Sequence, residues 1–481
     1  MTRNEQRLRT AFLERDARRE RHFVAGVTTT GIYCVASCRA RRPRPEHLRI
    51  FRDGREARAA GFRPCLRCRP DEVLAGVDGE AEQVDRILRA LREDPAALPD
   101  VPAVAHRFGL GATRLEALFR GHRHDSVARS LRRLRVERAM DLLGTTDRGL
   151  LDLGQDLGWE SASAFHAAFR TFTGTTPDAW RRLLNADRFE LQVPRELRVE
   201  ALCSYLARDV ESVSERREGD RFLQAVELDG SPAVLELDFS RHGRVGVALE
   251  SARALSPAMR IAAHRVVVRL LGLGADDAGF ARRAAALGET AGWARRYPGL
   301  RVPCTATVFD ALVLAIVGQQ VNLGFALELR RELVSMCGAS APRGLRALPS
   351  PSAVAALTVD ALRDRRFSRQ KAECLIAVAR AIEDGTLDLD ALERGSARTA
   401  RRRLCEIRGL GPWSAEYVLM RGFGHADCAP AGDVALAVAL QAACGTEQRP
   451  TSAEVAAALA PLSPFRSQAC FQLWQRLREP T

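Results

Sequence analysis

Cys34 and Cys38, spaced C-x3-C, and Cys65 and Cys68, spaced C-x2-C, constrain the N-terminal part of this chain more tightly than any other feature. Two short cysteine knuckles joined by a loop supply the four soft ligands of a closed tetrahedral zinc site, each sulfur about 2.3 Å from the ion. A segment held in this way folds without a large apolar core. The pattern predicts Zn2+ bound by Cys34, Cys38, Cys65 and Cys68. The remaining cysteines, Cys203, Cys304, Cys337, Cys374, Cys405, Cys428, Cys444 and Cys470, are scattered, several among apolar neighbours. They read as inert thiols of a reducing compartment.

At 481 residues the chain exceeds one ordinary core, and roughly one domain per 100–200 residues divides it into about three or four. No apolar run of roughly 18 residues or more occurs. Arg3, Glu5, Arg7, Arg9, Glu14 and Arg15 occupy the stretch where a secretory apolar region would lie. A cytoplasmic protein without membrane association is expected. The net charge of +13 is concentrated: residues 1–70 hold 18 Arg against 7 Asp and Glu, whereas residues 71–190 hold 17 against 20. Arg39, Arg41, Arg42, Arg44, Arg63 and Arg67 flank the cysteines, a footprint of phosphate contacts. A chain-wide preference for arginine, Lys371 being the only lysine, competes as the explanation of that density.

The text around the ligands is more specific than their spacing. Thr29-Thr30-Gly31-Ile32-Tyr33-Cys34, Cys38-Arg39-Ala40-Arg41 and Gly61-Phe62-Arg63-Pro64-Cys65-Leu66-Arg67-Cys68 resemble the N-terminal domain of the Ada family, in which a zinc-bound cysteine removes a methyl group from a DNA phosphotriester. The resemblance implies Cys34 as the methyl acceptor, because it alone follows the Thr29–Tyr33 text, with Cys38, Cys65 and Cys68 structural. It also implies that Arg39, Arg41 and Arg63 contact DNA.

After Arg69-Pro70 the pattern turns helical. Val84, Ile87, Leu88 and Leu91 recur at helical spacing, and the run ends near Asp94-Pro95. Residues 101–110 read as a helix closed by Gly109, followed by a short helix over 112–120. The same grammar returns at 151–157, Gly158 and 161–172. These two units are joined by a long helix over 126–143 and closed by Thr173-Gly174-Thr175-Thr176-Pro177-Asp178-Ala179-Trp180-Arg181-Arg182. They resemble an AraC-type DNA-binding domain, which implies promoter DNA and RNA polymerase as partners. The acidic balance of this region leaves a plain helical packing module as the alternative.

The helical text stops around residues 185–194. From 222 to 250 it alternates, as in Leu235-Glu236-Leu237-Asp238-Phe239, with Gly230-Ser231-Pro232 and His242-Gly243 at the turns. This predicts antiparallel strands with one buried face. Helices return from Pro257. In Leu404-Cys405-Glu406-Ile407-Arg408-Gly409-Leu410-Gly411-Pro412-Trp413-Ser414-Ala415-Glu416-Tyr417 an amphipathic helix meets a Gly-x-Gly hairpin and a second helix. This resembles the helix-hairpin-helix, whose glycines let backbone N–H groups approach a DNA phosphate. Ala431-Gly432-Asp433-Val434-Ala435-Leu436 follows. Pro298-Gly299-Leu300-Arg301-Val302-Pro303, Ala315-Ile316-Val317-Gly318-Gln319-Gln320-Val321, Pro464-Phe465-Arg466-Ser467 and Leu473-Trp474 extend the likeness. Residues 190–478 resemble the AlkA-type 3-methyladenine glycosylases.

Alkylation at N3 or N7 already makes a purine a cationic leaving group. Its removal asks mainly for a carboxylate beside the developing oxocarbenium ion, and for aromatic faces around the flipped, electron-poor base. The resemblance assigns the carboxylate to Asp433 and the base pocket to Trp413, Tyr417 and Phe465. It assigns duplex contacts to Gly409, Gly411 and Gln320, the last at a wedge position often held by leucine. Asp433 also suits a helix N-cap and the aromatics also suit a core. Trp413 stands where strand-cutting relatives carry a Schiff-base lysine, and Lys371 lies outside the hairpin, so a monofunctional glycosylase is expected. The Pro-Cys-His-Arg text of a second methyltransferase domain does not occur, so O6-methylguanine repair is not expected.

The expected fold is multidomain and mainly α. A small zinc-bound α/β domain spans 1–75, an AraC-type helix-turn-helix region 80–185, an AlkA-like α+β part with a small antiparallel β-sheet 190–300, and an all-α helix-hairpin-helix glycosylase domain 301–481. The expected function is repair of alkylated double-stranded DNA by a monomer. It combines hydrolysis of the N-glycosidic bond of alkylated purines such as 3-methyladenine with single-turnover methyl transfer from methylphosphotriesters to Cys34. The rival is a methylation-sensing transcriptional activator whose glycosylase half only holds DNA.

Overall fold

The computed structural model describes residues 3–16, 19, 22–38, 40–74 and 78–478, in two compact units, Met1–Arg86 and Ile87–Thr481. Among these residues no helix is long and apolar enough to cross a membrane.

In the first unit, β1 (Val24–Val27), β2 (Ile32–Cys34), β3 (Leu48–Phe51) and β4 (Arg63–Pro64) form a sheet in the order β3-β1-β2-β4. The turn from β1 to β2 passes through Gly31 at φ 64°, a left-handed conformation that glycine adopts without a Cβ penalty. Gly26 on β1 leaves space for the rings of Phe51 and Phe62, 5.2 Å apart; a Cβ there would lie 2.7 Å from each. β4 runs parallel to β2, with Tyr33 opposite Pro64, and the Cys65 N–H donates to the Tyr33 carbonyl at 3.0 Å. That one parallel pairing lays the two cysteine knuckles side by side.

The second unit begins with paired helices. Val101–Arg107 and Ala112–Arg123 precede the long helix Val127–Thr145, and Leu150–Asp156 and Ala162–Thr173 follow it. Gly109 at φ 61° and Gly158 at φ 79° make the two turns. Helix Pro177–Leu183 closes the region: Trp180 is fully buried and its indole N–H donates to the Met140 carbonyl at 3.2 Å. Next comes an antiparallel sheet in the order β5-β9-β8-β7-β6, with β5 Arg188–Gln192, β6 Glu215–Glu218, β7 Arg221–Leu228, β8 Ser231–Asp238 and β9 Arg244–Ser251. It is wider than its alternating text, because β5 and β6 lie outside residues 222–250. Leu191, Phe222, Leu235 and Val245 pack with Leu202, Val267 and Leu270 of helices Val199–Leu206 and Pro257–Leu270. The largest core belongs to the helices from Val308 to Arg476, around Leu312, Ile316, Leu375, Val418, Leu440 and Phe471.

Two polar seams tie these parts together. Arg330, buried, donates at 2.7 Å both to Glu215 on β6 and to Asp310 in helix Val308–Val317. Burial alone pushes Glu215 up, but the Arg330 guanidinium outweighs it and leaves the carboxyl below its ordinary value. The second seam docks the paired-helix region on the later helices, a contact with no counterpart in the local sequence patterns. His122 at the end of helix Ala112–Arg123 meets the Ser396 hydroxyl at 2.8 Å, and Arg123 donates to the Glu393 carbonyl at 3.1 Å. The His124 and His425 rings pack edge to face at 5.1 Å.

Candidate active site and metal centre

In the first unit Cys34 ends β2, Cys38 lies in the turn beyond it, and Cys65 and Cys68 follow β4. Their four sulfurs lie within 4.8 Å of one another. A zinc–sulfur tetrahedron with bonds of about 2.3 Å has edges of about 3.8 Å, so the set fits that ion. Hydrogen bonds from neighbouring thiols push Cys34 up and bring Cys38 down. The Ala40 N–H lies 3.5 Å from the Cys38 sulfur and Arg15 donates to the Cys38 carbonyl at 3.2 Å, so donors already surround the knuckle. Arg41 and Arg63 are exposed on this unit. Arg39 falls outside the described residues. Cys34 is 5% exposed, and Cys68 is the most accessible ligand.

In the second unit the hairpin forms as read: helix Ala397–Glu406, then Gly409 at φ 99° and Gly411, then helix Pro412–Arg421. A Cβ on Gly409 would lie 2.8 Å from the Cys374 sulfur, so the hairpin sits tightly on helix Arg369–Glu383. Asp433 caps helix Val434–Cys444, with its Oδ1 accepting from the Leu436 N–H at 2.7 Å. The same oxygen accepts from the Trp474 indole at 3.2 Å, and Oδ2 accepts from the Trp413 indole at 3.1 Å. The N-cap and site readings of Asp433 are therefore compatible in one geometry. Trp413 and Tyr417 stack at 5.6 Å and 26°, and Tyr417 meets Trp474 at 6.4 Å. Burial pushes the Tyr417 phenol up to about 12, so it stays neutral. The result is a half-buried carboxylate held by two indoles and bordered by three aromatic rings.

Phe465 packs against Phe280 at 6.3 Å and over Gly279; Trp474, quoted only as part of the C-terminal helix, is the residue that reaches Asp433. Spacing along the sequence carries no signal for such a contact across helices. Gln320 is exposed, at φ 57°, on the loop after helix Val308–Val317. Gln319 beside it donates to the Gly409 carbonyl at 2.7 Å and to the Ser414 hydroxyl at 3.1 Å, pinning that loop to the hairpin. Lys371, buried, donates to the Val317 carbonyl at 2.6 Å, and burial lowers its ammonium pKa.

Comparisons with known proteins match three stretches of the chain. Residues 7–71 match the metal binding domain of Ada, residues 104–183 a helix-turn-helix domain, and residues 313–464 the HhH-GPD superfamily of base excision DNA repair proteins. Over 490 residues, 98% of this chain and 96% of the relative, it is 28% identical to a probable bifunctional transcriptional activator/DNA repair enzyme AlkA of Mycobacterium tuberculosis. It is 33% identical over 187 residues to a DNA-3-methyladenine glycosylase of Bacillus subtilis, covering 38% of this chain and 62% of that one. It is 38% identical over 112 residues to the Escherichia coli bifunctional transcriptional activator/DNA repair enzyme Ada, covering 22% and 30%. The solved 3-methyladenine DNA-glycosylase of Archaeoglobus fulgidus shares the fold at a TM-score of 0.53 and 20% identity, over 60% of this chain and 98% of its own.

Proposed function

We propose that this chain, which joins an Ada-type metal-binding domain, a helix-turn-helix domain and an HhH-GPD base-excision domain, repairs alkylated DNA by two reactions and regulates transcription in response. The observation that carries the repair reading is the Asp433 carboxylate, fixed by the Trp413 and Trp474 indoles beside a stack of rings. In base excision the alkylated purine is flipped against those rings. The C1′–N bond breaks with its electron pair leaving on the base, Asp433 stabilises the cationic sugar, and water adds at C1′ and gives up a proton to solvent, leaving an intact abasic strand. Gly409 and Gly411 would hold the phosphate. The hairpin has no lysine, and Lys371 is committed to a backbone carbonyl, which favours a monofunctional enzyme. The domain limits proposed are 1–75, 80–185, 190–300 and 301–481.

Zn2+, when bound, would keep Cys34, Cys38, Cys65 and Cys68 deprotonated near neutral pH. The Cys34 sulfur then attacks the methyl carbon of a phosphotriester. The methyl C–O bond breaks, its electrons stay on the phosphate oxygen, and the sulfur becomes a thioether. Losing one thiolate charge lowers the repulsion of phosphate, which would strengthen promoter binding and recruit RNA polymerase to a monomeric cytoplasmic activator. Arg39, Arg41 and Arg63 are the proposed phosphate contacts.

Asp433→Asn keeps the N-cap acceptor and removes the charge, so release of 3-methyladenine should fall about a thousandfold with the melting temperature nearly unchanged. Excision at the parent rate would remove Asp433 from the mechanism. Mass spectrometry after exposure to methylphosphotriester DNA should place one methyl on the Cys34 peptide. A methyl on Cys68, the more accessible sulfur, would reassign the acceptor.

A further inference from the structure

A cleft of about 370 Å3 opens where the helix-turn-helix region meets the antiparallel sheet, both within the second unit. Its floor belongs to the edge strand β5 and its neighbour β9. Side chains alternate along a strand, so Arg188, Glu190 and Gln192 share one face of β5 while Leu191 turns into the core. Opposite Gln192 stands Arg244, and opposite Glu190 stands Gly246, which adds no side chain to the floor. Helix Pro177–Leu183 makes the wall with Ala179 and Arg182, and Ala186 continues it. The turn Gly174–Thr176 closes one end, tied to the strand by the Gln192 N–H, which donates to the Gly174 carbonyl at 2.6 Å.

The charges of this cleft do not cancel. Arg182, Arg188 and Arg244 line it, and Glu190 is the one carboxylate among the described residues that do so. Glu190 is already shared between Arg244 and Arg241, the latter donating to it at 2.6 Å. Arg182 and Arg188 are exposed and pair with no acid among the described residues. Residues 71–190 carry more acid than base, so the excess is local to their end. A small-molecule pocket encloses its ligand between mostly apolar walls. Here the guanidiniums stand in water, along an open track that suits a ligand lying across it, and their planar forks match phosphate oxygens. The track starts at the turn that ends helix Ala162–Thr173, the second helix of the second pair. With that helix in a major groove, the backbone bordering the groove is the extended anion nearest to the cleft.

We propose that this cleft holds the phosphate backbone of duplex DNA, gripped by Arg182 of the helix-turn-helix region and by Arg188 and Arg244 of the sheet, which makes the sheet part of the DNA-binding surface. The proposal rests on the DNA-binding reading of the helix-turn-helix region, and its test separates the two. The full-length, zinc-loaded chain is titrated into a fluorescein-labelled duplex of mixed sequence, and anisotropy is read over a series of salt concentrations. Replacing Arg182→Ala and Arg188→Ala together should lower the salt slope by about 2 and weaken binding about tenfold. Glu190→Gln, which releases Arg241 and Arg244, should strengthen binding about threefold. Arg216→Ala with Arg217→Ala removes the same charge from β6, the opposite edge of the sheet, and should change neither quantity. Thermal melting verifies that each variant is folded. An equal loss in the β6 variant, or no loss in the Arg182 and Arg188 variant, would overturn the proposal. So would saturable calorimetric binding of inorganic phosphate that disappears in the Arg182 and Arg188 variant, since the cleft would then be a site for a free anion. Arg170→Ala, exposed on helix Ala162–Thr173, supplies the second readout. If it weakens binding and the cleft variant does not, the cleft falls and the helix-turn-helix reading stands; if neither weakens binding, both fall.

Discussion

The sulfur cluster of the first unit takes every ligand from the stretch between Cys34 and Cys68, and among the described residues two small apolar clusters lie around it, one near Phe12 and Phe23, the other near Val24 and Phe51. The Asp433 site draws Trp413, Asp433 and Trp474 from three helices of the largest core in the chain. One site organises its surroundings; the other is organised by them. The first should collapse when its ion is removed. The second should tolerate changes to single groups and lose function by degrees, because packing holds its parts whether or not each bond is made.

The sharpest way to break this contrast is to withdraw the metal. Structural zinc sites contribute roughly 10–16 kcal/mol of apparent binding free energy to folding. Chelation, or Cys38→Ser, should therefore expose residues 1–86 to proteolysis while the thermal transition of residues 87–481 stays in place. A first unit that resists protease without zinc would show that its small clusters suffice.

A smaller effect probes the seam inside the second unit. Burial brings His124 down to about 3 and takes His425 well below the ordinary histidine value. Arg123, Arg401, Arg466 and Asp427 are the charges nearest to the pair. The folded state therefore refuses protons that the unfolded state accepts below pH about 6.5. Stability is complete above that pH and falls, as pH drops toward 3, by about 1.4 kcal/mol per unit for each histidine. The protection of helix Ala112–Arg123 against hydrogen exchange, taken relative to the intrinsic rate at each pH, should fall between pH 7 and pH 5, and His124→Phe should flatten that dependence. A pH-independent seam in the parent chain would refute the burial account.

The smallest change sharpens the contrast at the site itself. Trp474→Phe keeps a ring beside Tyr417 and removes one donor from Asp433, so excision should fall about tenfold with little change in melting temperature. A loss as large as that of Asp433→Asn would mean that the indole, and not the core, positions the carboxylate.

The same contrast explains what could be read from the sequence. The four ligands, the two Gly-closed helix pairs and the Gly409–Gly411 hairpin are local patterns, and the structure contains each of them. Asp433 is assigned through the resemblance to the helix-hairpin-helix glycosylases; what its local text gives is an acid opening an apolar helix, and the structure makes it the N-cap of Val434–Cys444. Trp474 as its donor, the Arg330 bridge to Glu215 and Asp310, and the His122–Ser396 seam join residues far apart in the chain, and neither periodicity nor spacing records such a meeting. β6, Glu215-Arg216-Arg217-Glu218, holds no apolar residue to mark a strand, and β5, Arg188-Phe189-Glu190-Leu191-Gln192, alternates over only five residues and is parted from the other strands by helix Val199–Leu206. Phe465 shows the converse: an aromatic in matching text packs on Phe280, while the ring that reaches the carboxylate lies further along the same helix.

Lys371 has one more consequence. It is the only lysine in the chain, and it is buried in helix Arg369–Glu383 beneath the Val317 carbonyl. A protease that cuts solely after lysine therefore has a single bond to attack, and that bond becomes available only when the helices around the loop before Leu323 come apart. Cleavage into two fragments would time the opening of the helical core in the unmodified protein, without any label or engineered site.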